Sequence, residues 1–170
     1  MGNPMTDTAT NAGGETPPTP QMKVLGQFIK DMSFENIAAQ SGMQMEAQPD
    51  INIQVGLTAG KRETEHNYDV TLKLNVDAKT KGDNPQQIFM LEMEYTGIFH
   101  VENVPENQMH PFLLIECPRM IFPYVRRIVG DITRDGGFPP MNLENIDFVQ
   151  LYRAEITRRA QQEAAKAPVS

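Results

Sequence analysis

The sequence predicts an α+β fold in which a four-stranded antiparallel sheet carries its helices on one face. Four segments between residues 22 and 99 alternate apolar and polar side chains with a period of two, which is the pattern of half-buried strands. After Pro105 the apolar period changes to that of a helix. Because the strands come first and the helices follow, we expect the helices to gather on one side of the sheet.

The predicted strands cover 22–34, 51–58, 68–77 and 89–99. The polar links between the second, third and fourth strands are short and rich in turn residues, which predicts hairpins and an antiparallel meander. The link over 35–50 is longer and is expected to be a crossover loop. The first and fourth strands are apolar on both faces, so two helices cannot cover the apolar surface and an oligomer is expected.

Prolines divide the helical part of the chain. Pro111 predicts that 106–116 is only a short or irregular helix, and Pro118 predicts a restart of the chain. Apolar residues then recur at helical spacing over 121–132, before a stop at two consecutive glycines. Asn145 is expected to cap a last helix.

The chain length allows one domain with a tail at each end. Residues 1–20 are dominated by Asn, Thr, Gly, Pro and Ala and predict a disordered leader. The strands and helices occupy 21–157. Residues 158–170 are expected to continue a helix and then fray into a disordered tail.

The charge distribution argues against binding to nucleic acid. The net charge is −7, and the basic residues do not form the cluster that phosphate binding requires. An acidic body instead favours a basic partner. No apolar run reaches the roughly 18–20 residues of a membrane span, and the first residues lack the pattern of a secretory signal, so we expect a cytoplasmic protein without membrane insertion.

The residues that could carry catalysis are isolated in the sequence. His66, His100 and His110 have no companion at metal-ligand spacing and are interpreted as surface or hydrogen-bonded histidines. Cys117, in an apolar stretch, is interpreted as a buried, inert thiol. Glu92 and Glu94 alternate along the fourth strand. They are interpreted as part of a solvated strand face rather than as an acid–base pair. We therefore predict no catalytic residue, metal or cofactor.

Methionine is the more informative residue type. The chain has 11 methionines and no tryptophan, so an apolar recognition surface would be built from Phe, Tyr and Met. Flexible, polarizable thioethers are typical of surfaces that accept many partners. Met43 and Met45 lie in the predicted crossover loop, where packing in a core explains them less well.

Three segments carry a resemblance to a known family. They are 28–36 (FIKDMSFEN), 89–99 (FMLEMEYTGIF) and above all 117–126 (CPRMIFPYVR). With 137–139 and 143–148 following in order, the sequence resembles the SecB family of bacterial protein-export chaperones over about residues 22–155. The resemblance implies a cytosolic homotetramer, a dimer of dimers, that binds unfolded preproteins. It also implies that these clients pass to the translocase ATPase SecA, and that the family uses no nucleotide or metal.

The resemblance assigns roles to three groups of residues. The acidic docking site for SecA corresponds to Asp31, Glu35, Met90 and Glu92. The positions that affect tetramer assembly correspond to Leu91, Met93 and Tyr95. The client-binding groove corresponds to Met43, Met45, Ile53, Val55, Phe122, Tyr124, Phe138, Pro139 and Leu143. For Phe122 and Tyr124, packing in the core is an equal alternative.

Two features depart from the family pattern. The crossover loop has no tryptophan, and the tail carries Arg158, Arg159 and Lys166 where some members are acidic, which puts a tail contact with SecA in doubt. The main alternative is an oligomeric small-molecule-binding or scaffold protein with the same fold, which would have one closed pocket. An enzyme is the third hypothesis.

Overall fold

A computed structural model describes residues 13–45 and 47–168 of the chain. The first 12 residues of the predicted leader lie outside the described residues, and 13–20 form neither helix nor strand and are exposed. Within the described ranges, no helix combines the length and the hydropathy needed to cross a membrane.

The described part of the chain forms four strands and three helices. In chain order they are β1 (Gln21–Asn36), α1 (Ile37–Ser41), β2 (Asp50–Lys61), β3 (Asn67–Lys79), β4 (Gln87–Glu102), α2 (Glu106–Asp135) and α3 (Phe148–Lys166). All four predicted strands are confirmed, and each extends beyond its predicted bounds. The short helix α1 was not predicted.

The sheet has the order β1-β4-β3-β2, and all its pairs are antiparallel. The predicted meander of the second to fourth strands is therefore confirmed. Since β1 and β2 lie at opposite edges, the segment between them crosses the whole sheet, as predicted. Helix α1 lies in this crossover and ends at Gly42, whose φ of 69° is left-handed and suits a glycine.

One face of the sheet is buried beneath the helices. Alternate residues of the two central strands, such as Leu72, Leu74 and Phe99, are fully buried there. Helix α2 covers them with residues that include Ile121 and Val125. The other face carries the alternate, more polar residues, and is called the open face below. The predicted α+β class, with helices on one face, is confirmed.

The predicted interruption of the helical region is wrong. Helix α2 runs without a break over 30 residues and contains Pro111, Pro118 and Pro123. Each internal proline removes a backbone hydrogen bond and costs about 3 kcal/mol in an isolated helix. Here the apolar side of α2 packs on the sheet, and this tertiary burial outweighs the local preference for a break.

The second helix and the last helix are joined by 136–147. The predicted stop is confirmed, because α2 ends at Gly136 and Gly137 has a left-handed φ of 94°. The predicted cap at Asn145 is wrong. Asp147 caps α3 by accepting a hydrogen bond from the backbone of Gln150, since it directly precedes the first helical turn.

Candidate functional site

A pocket of about 840 Å³ lies between the crossover and the connection from α2 to α3. We call it the crossover pocket. Its lining residues are mainly Met, Ala, Pro and Phe, and none of the described ones carries a charge: Asn36, Ala38, Ala39, Met43, Met45, Ala47, Gln48, Pro49, Ile51, Phe89, Gly137, Phe138, Pro139, Pro140 and Met141. The pocket is therefore suited to apolar ligands.

A second pocket of about 410 Å³ lies between β2 and residues 141–146. We call it the strand pocket. It shares Ile51 and Met141 with the crossover pocket, so the two form one groove. Strand β2 is an edge strand of the sheet. An edge presents unpaired backbone groups, and the groove therefore runs beside a strand that can accept an extended chain.

Seven of the nine residues predicted for the groove line it. The crossover pocket contains Met43, Met45, Phe138 and Pro139. The strand pocket contains Ile53, Val55 and Leu143. Segments that are far apart in the sequence thus come together at one groove, and its role in client binding stays a prediction.

Phe122 and Tyr124 line neither pocket of the groove. The Phe122 ring is buried between α2 and α3, with its centroid 5.9 Å from that of Phe148. Phe122 therefore packs in the core, which was the alternative to a position in the groove. Tyr124 is 44% exposed on α2, away from the groove.

Several groove residues were not predicted, notably Ile51, Phe89 and Met141. Ile51 shares the alternating face of Ile53, a signal that could have identified it. Phe89 begins the predicted fourth strand, and the alternation of that strand gives no signal for a groove. Its ring lies 4.8 Å from that of Phe138 between centroids, which joins the core to the groove.

One asparagine holds both walls of the crossover pocket. Asn36 Nδ2 donates to the carbonyl of Gly136 at 2.8 Å, on the side of the α2–α3 connection. Its Oδ1 accepts from the backbone N–H of Ala39 at 2.9 Å and so caps α1 in the crossover. Both ends of the side-chain amide are therefore used to position the groove.

Two side chains of α2 hold the connection that forms the other wall. Thr133 Oγ1 donates to the carbonyl of Val129 at 2.7 Å and accepts from the backbone N–H of Met141 at 2.9 Å. Arg126 Nε donates to the carbonyl of Leu143 at 2.8 Å. The connection is therefore fixed to the helix at two points although it forms neither helix nor strand.

The four residues assigned to the docking site lie together on the open face. In the β1–β4 ladder, Glu35 pairs with Met90 and Asp31 pairs with Glu94, and Glu92 lies between these two β4 residues. All four assigned side chains are exposed. We call Asp31, Glu35, Met90 and Glu92 the acidic patch.

Further acidic groups border the patch. Asp77 of β3 pairs with Met90. A hydrogen bond from Gln87 lowers the pKa of Asp77; desolvation opposes this effect, and the ammonium of Lys79 lowers the pKa further. Lys30 Nζ lies 3.9 Å from the carboxylate of Glu94 on an exposed surface, a contact that screens little of the charge. The face around the patch is therefore negative at neutral pH.

The residues assigned to assembly lie on the opposite, helix-covered face. Leu91, Met93 and Tyr95 are buried within the single chain, and burial raises the pKa of the Tyr95 hydroxyl. Their role in assembly stays a prediction. Because their side chains face the helices of their own chain, a substitution at these positions would affect assembly by shifting the helices that cover them.

The isolated reactive residues occupy ordinary structural positions. Burial raises the pKa of the Cys117 thiol to about 12, so this group stays protonated at neutral pH. His100 is hydrogen-bonded to Asn67 Oδ1 at 2.7 Å and to Glu102 Oε1 at 2.9 Å. The ring of His66 lies 5.9 Å from that of His100, a proximity that sequence spacing did not indicate. In the described part of the chain, no three potential ligands cluster around a metal position.

The sheet, its one-sided helical layer and the apolar groove define the class of protein. The fold is that of the SecB-like chaperones. A solved SecB-like chaperone of Mycobacterium tuberculosis, in complex with a peptide from an antitoxin, matches with a TM-score of 0.59 at 14% identity. The match covers 74% of this chain and 90% of that one.

Sequence comparison identifies the family within this class. The family model described as preprotein translocase subunit SecB matches residues 15–159. The protein-export protein SecB of Roseobacter denitrificans is 61% identical, with 94% of this chain and 95% of that protein covered. The protein of the same name from Dinoroseobacter shibae is 59% identical, with 97% and 100% covered. The chain belongs to the SecB family.

Proposed function

We propose that this protein is a cytoplasmic chaperone of protein export that binds unfolded precursor proteins, keeps them competent for translocation and delivers them to SecA. The observation that carries the proposal is the open groove, which is lined mainly by apolar side chains and lies beside an edge strand. Membership of the SecB family supports the same function.

The groove has the chemistry to bind an unfolded chain. Its thioether, aliphatic and aromatic side chains accept apolar segments of varied shape, because methionine side chains adapt their rotamers. The edge of β2 offers backbone hydrogen bonds that do not depend on the client's sequence. Folded proteins bury the apolar segments and backbone groups that this site recognises, and selectivity for unfolded chains follows.

Holding follows from mass action. A chaperone that binds the unfolded state but not the folded state lowers the free concentration of unfolded chain and delays its collapse. This requires no nucleotide, metal or covalent step in the chaperone itself.

Delivery to SecA is assigned to the acidic patch. Its exposed carboxylates on adjacent strands would meet a basic surface, increase the rate of encounter and set the register of docking. The patch and the groove lie on different surfaces, the patch on the open face and the groove at the end of the helix-covered side. Client and translocase can thus be bound at once.

Assembly as a dimer of dimers is supported by apolar side chains that the single chain leaves exposed. On the edge strand β1 these are Leu25, Phe28 and Ile29, and on α2 they include Met120 and Tyr124. Two separate apolar surfaces permit two kinds of subunit contact, as a dimer of dimers needs. Four chains of 19.1 kDa give a mass of roughly 76 kDa.

The test is native mass spectrometry of the full chain with a slow-folding precursor, offered unfolded and in its folded form. The proposal expects a tetramer that retains the unfolded precursor and ignores the folded one. Equal binding of both forms, or of neither, contradicts it. Retention of a small metabolite in place of the precursor would identify the small-molecule-binding alternative.

A further inference from the structure

Three methionine thioethers line the groove within the crossover and the α2–α3 connection. Met43 and Met45 lie on the crossover side, and Met141 lies where the crossover pocket meets the strand pocket. The Met45 side chain is 41% exposed, and the other two are half-buried at the open surface of the groove. All three sulfur-bearing side chains are therefore open to small solutes when no client is bound.

We propose that Met43, Met45 and Met141 form a site of reversible oxidative modification, at which peroxide converts the groove from an apolar surface to a polar one and releases unfolded clients. The inference rests on the proposed function of the groove. The oxidant is hydrogen peroxide or an alkyl hydroperoxide.

The oxidation step is a two-electron oxygen transfer. The thioether sulfur attacks one peroxide oxygen, and the S–O bond forms as the O–O bond breaks. Sulfur is oxidised to the sulfoxide and the peroxide is reduced. The proton of the transferred hydroxyl passes to the departing group, so hydroxide from hydrogen peroxide leaves as water and alkoxide from an alkyl hydroperoxide leaves as an alcohol. Methionine sulfoxide is returned to the thioether by methionine sulfoxide reductases, so the change is reversible.

A sulfoxide in this groove competes with client binding. Its oxygen is a strong acceptor that must stay hydrated or find a donor, and an apolar client segment supplies no donor. In the crossover pocket, the described lining residues with amide donors are Asn36 and Gln48, and the strand pocket adds Asn142 and Asn145. Asn36 Nδ2 already donates to the Gly136 carbonyl, so it is committed to holding the wall. The other three side chains are exposed to water, so turning one toward a sulfoxide only exchanges one hydrogen bond for another and does not replace the lost apolar contact. Binding of a client over an oxidised groove is therefore weakened.

The chain offers two internal comparisons for the groove methionines. Met90 on the open face is 38% exposed but lies outside both pockets, so it should be oxidised without an effect on the binding of a client in an assay that contains no SecA. Met93 is 1% exposed in the core and should resist oxidation in the folded protein. Comparison of these two residues with the groove methionines therefore distinguishes accessibility to peroxide from an effect on client binding.

The experiment treats the full chain with hydrogen peroxide and follows each methionine by peptide-mapping mass spectrometry. The affinity for a labelled unfolded reporter is measured before treatment, after treatment, and after repair with the two stereospecific sulfoxide reductases. Circular dichroism checks that the oxidised protein remains folded. The test variant carries Met43→Leu, Met45→Leu and Met141→Leu, which keeps apolar volume but removes sulfur. The matched control is Met90→Leu, tested with the reporter alone.

Oxidation should weaken reporter binding by the wild type at least about tenfold, and repair should restore it. The triple variant should keep its affinity after peroxide, and Met90→Leu should lose it as the wild type does. If the triple variant does not fold, Met45→Leu alone must retain more binding after peroxide than the wild type. Unchanged affinity of the oxidised wild type, or a loss in the triple variant equal to that of the wild type, overturns this inference alone. Failure of the untreated protein to bind the reporter overturns the proposed function as well.

Discussion

Asn36 and Gly136 are separated by 100 positions in the sequence and joined by one hydrogen bond of 2.8 Å. The donor is the side-chain amide of the last residue of β1, and the acceptor is the carbonyl at the end of α2. The same asparagine caps α1, so one residue sets the separation of the two walls of the groove. The geometry of the groove thus depends on a contact between the first strand and the second helix.

Replacing this asparagine should damage the groove more than the fold. Asn36→Ala removes a helix cap and a long-range hydrogen bond, so the free energy of unfolding should fall by about 1–3 kcal/mol. Affinity for an unfolded reporter should fall as well, because the walls lose their fixed separation. Urea denaturation and fluorescence anisotropy measure the two effects. Asn52→Ala on β2, whose side chain is exposed, is the control and should change stability by under about 0.5 kcal/mol. An Asn36→Ala protein with full affinity would show that the bond does not position the groove.

The methionines of the crossover should contribute directly to client binding. Met43→Ser with Met45→Ser should weaken reporter binding by tens-fold at most, since buried thioether contacts contribute about 2–3 kcal/mol at best. The tetramer should stay intact, which native mass spectrometry checks. Met90→Ser, an exposed methionine on the open face, should leave reporter affinity unchanged. An unaffected double variant would move the client site away from the crossover.

The acidic patch should act on SecA and not on clients. Glu92→Lys reverses an exposed charge beside Asp31 and Glu35, and should weaken SecA binding, most strongly at low salt. Each charge at a partly desolvated interface contributes about 0.5–2 kcal/mol. Titration against SecA at two salt concentrations, with client binding in parallel, measures the effect. Glu63→Lys in the β2–β3 hairpin is the matched control. Equal losses of both activities in Glu92→Lys would mean that the residue supports the fold instead.

Assembly should respond differently to exposed and buried substitutions. Phe28→Asp places a charge on an exposed apolar position of β1 and should dissociate the tetramer while each chain stays folded. Met93→Lys places a charge in the core of the single chain, so unfolding should accompany any dissociation. Sedimentation and circular dichroism distinguish these outcomes. A wild-type protein that sediments as a stable monomer at micromolar concentration would contradict the proposed tetramer.

The single cysteine should report on the integrity of the core. The pKa of Cys117 is raised to about 12 by burial and, to a lesser degree, by Glu116. The folded protein should therefore show no thiolate absorbance at pH 10, where an unperturbed cysteine is ionised. Alkylation by iodoacetamide should be slow in buffer and fast in urea. Rapid alkylation of the folded chain would show that α2 opens readily at this position.

Local patterns were sufficient to predict the strands. A period of two in apolar residues indicates that one face of a strand is buried. Each predicted strand is present, because the sheet buries one face of its strands beneath the helices. The continuity of α2 could not be predicted in this way. A proline acts on its own helical turn, whereas the packing that compensates for it comes from strands that precede it in the sequence.

By itself, the sequence determined the α+β class, the order of the meander and the crossover. Its resemblance to a family supplied the assignments of the acidic patch and the groove, and their roles stay predictions. Only the tertiary structure decided that Ile51, Phe89 and Met141 complete the groove, that Phe122 belongs to the core, and that Leu91 and Met93 face the chain's own helices. Hydrophobic periodicity predicts which residues are buried. Because the hydrophobic effect is not directional, the periodicity does not predict which segment of the chain covers them. That information resides in contacts between segments that are distant in the sequence, such as the one between Asn36 and Gly136.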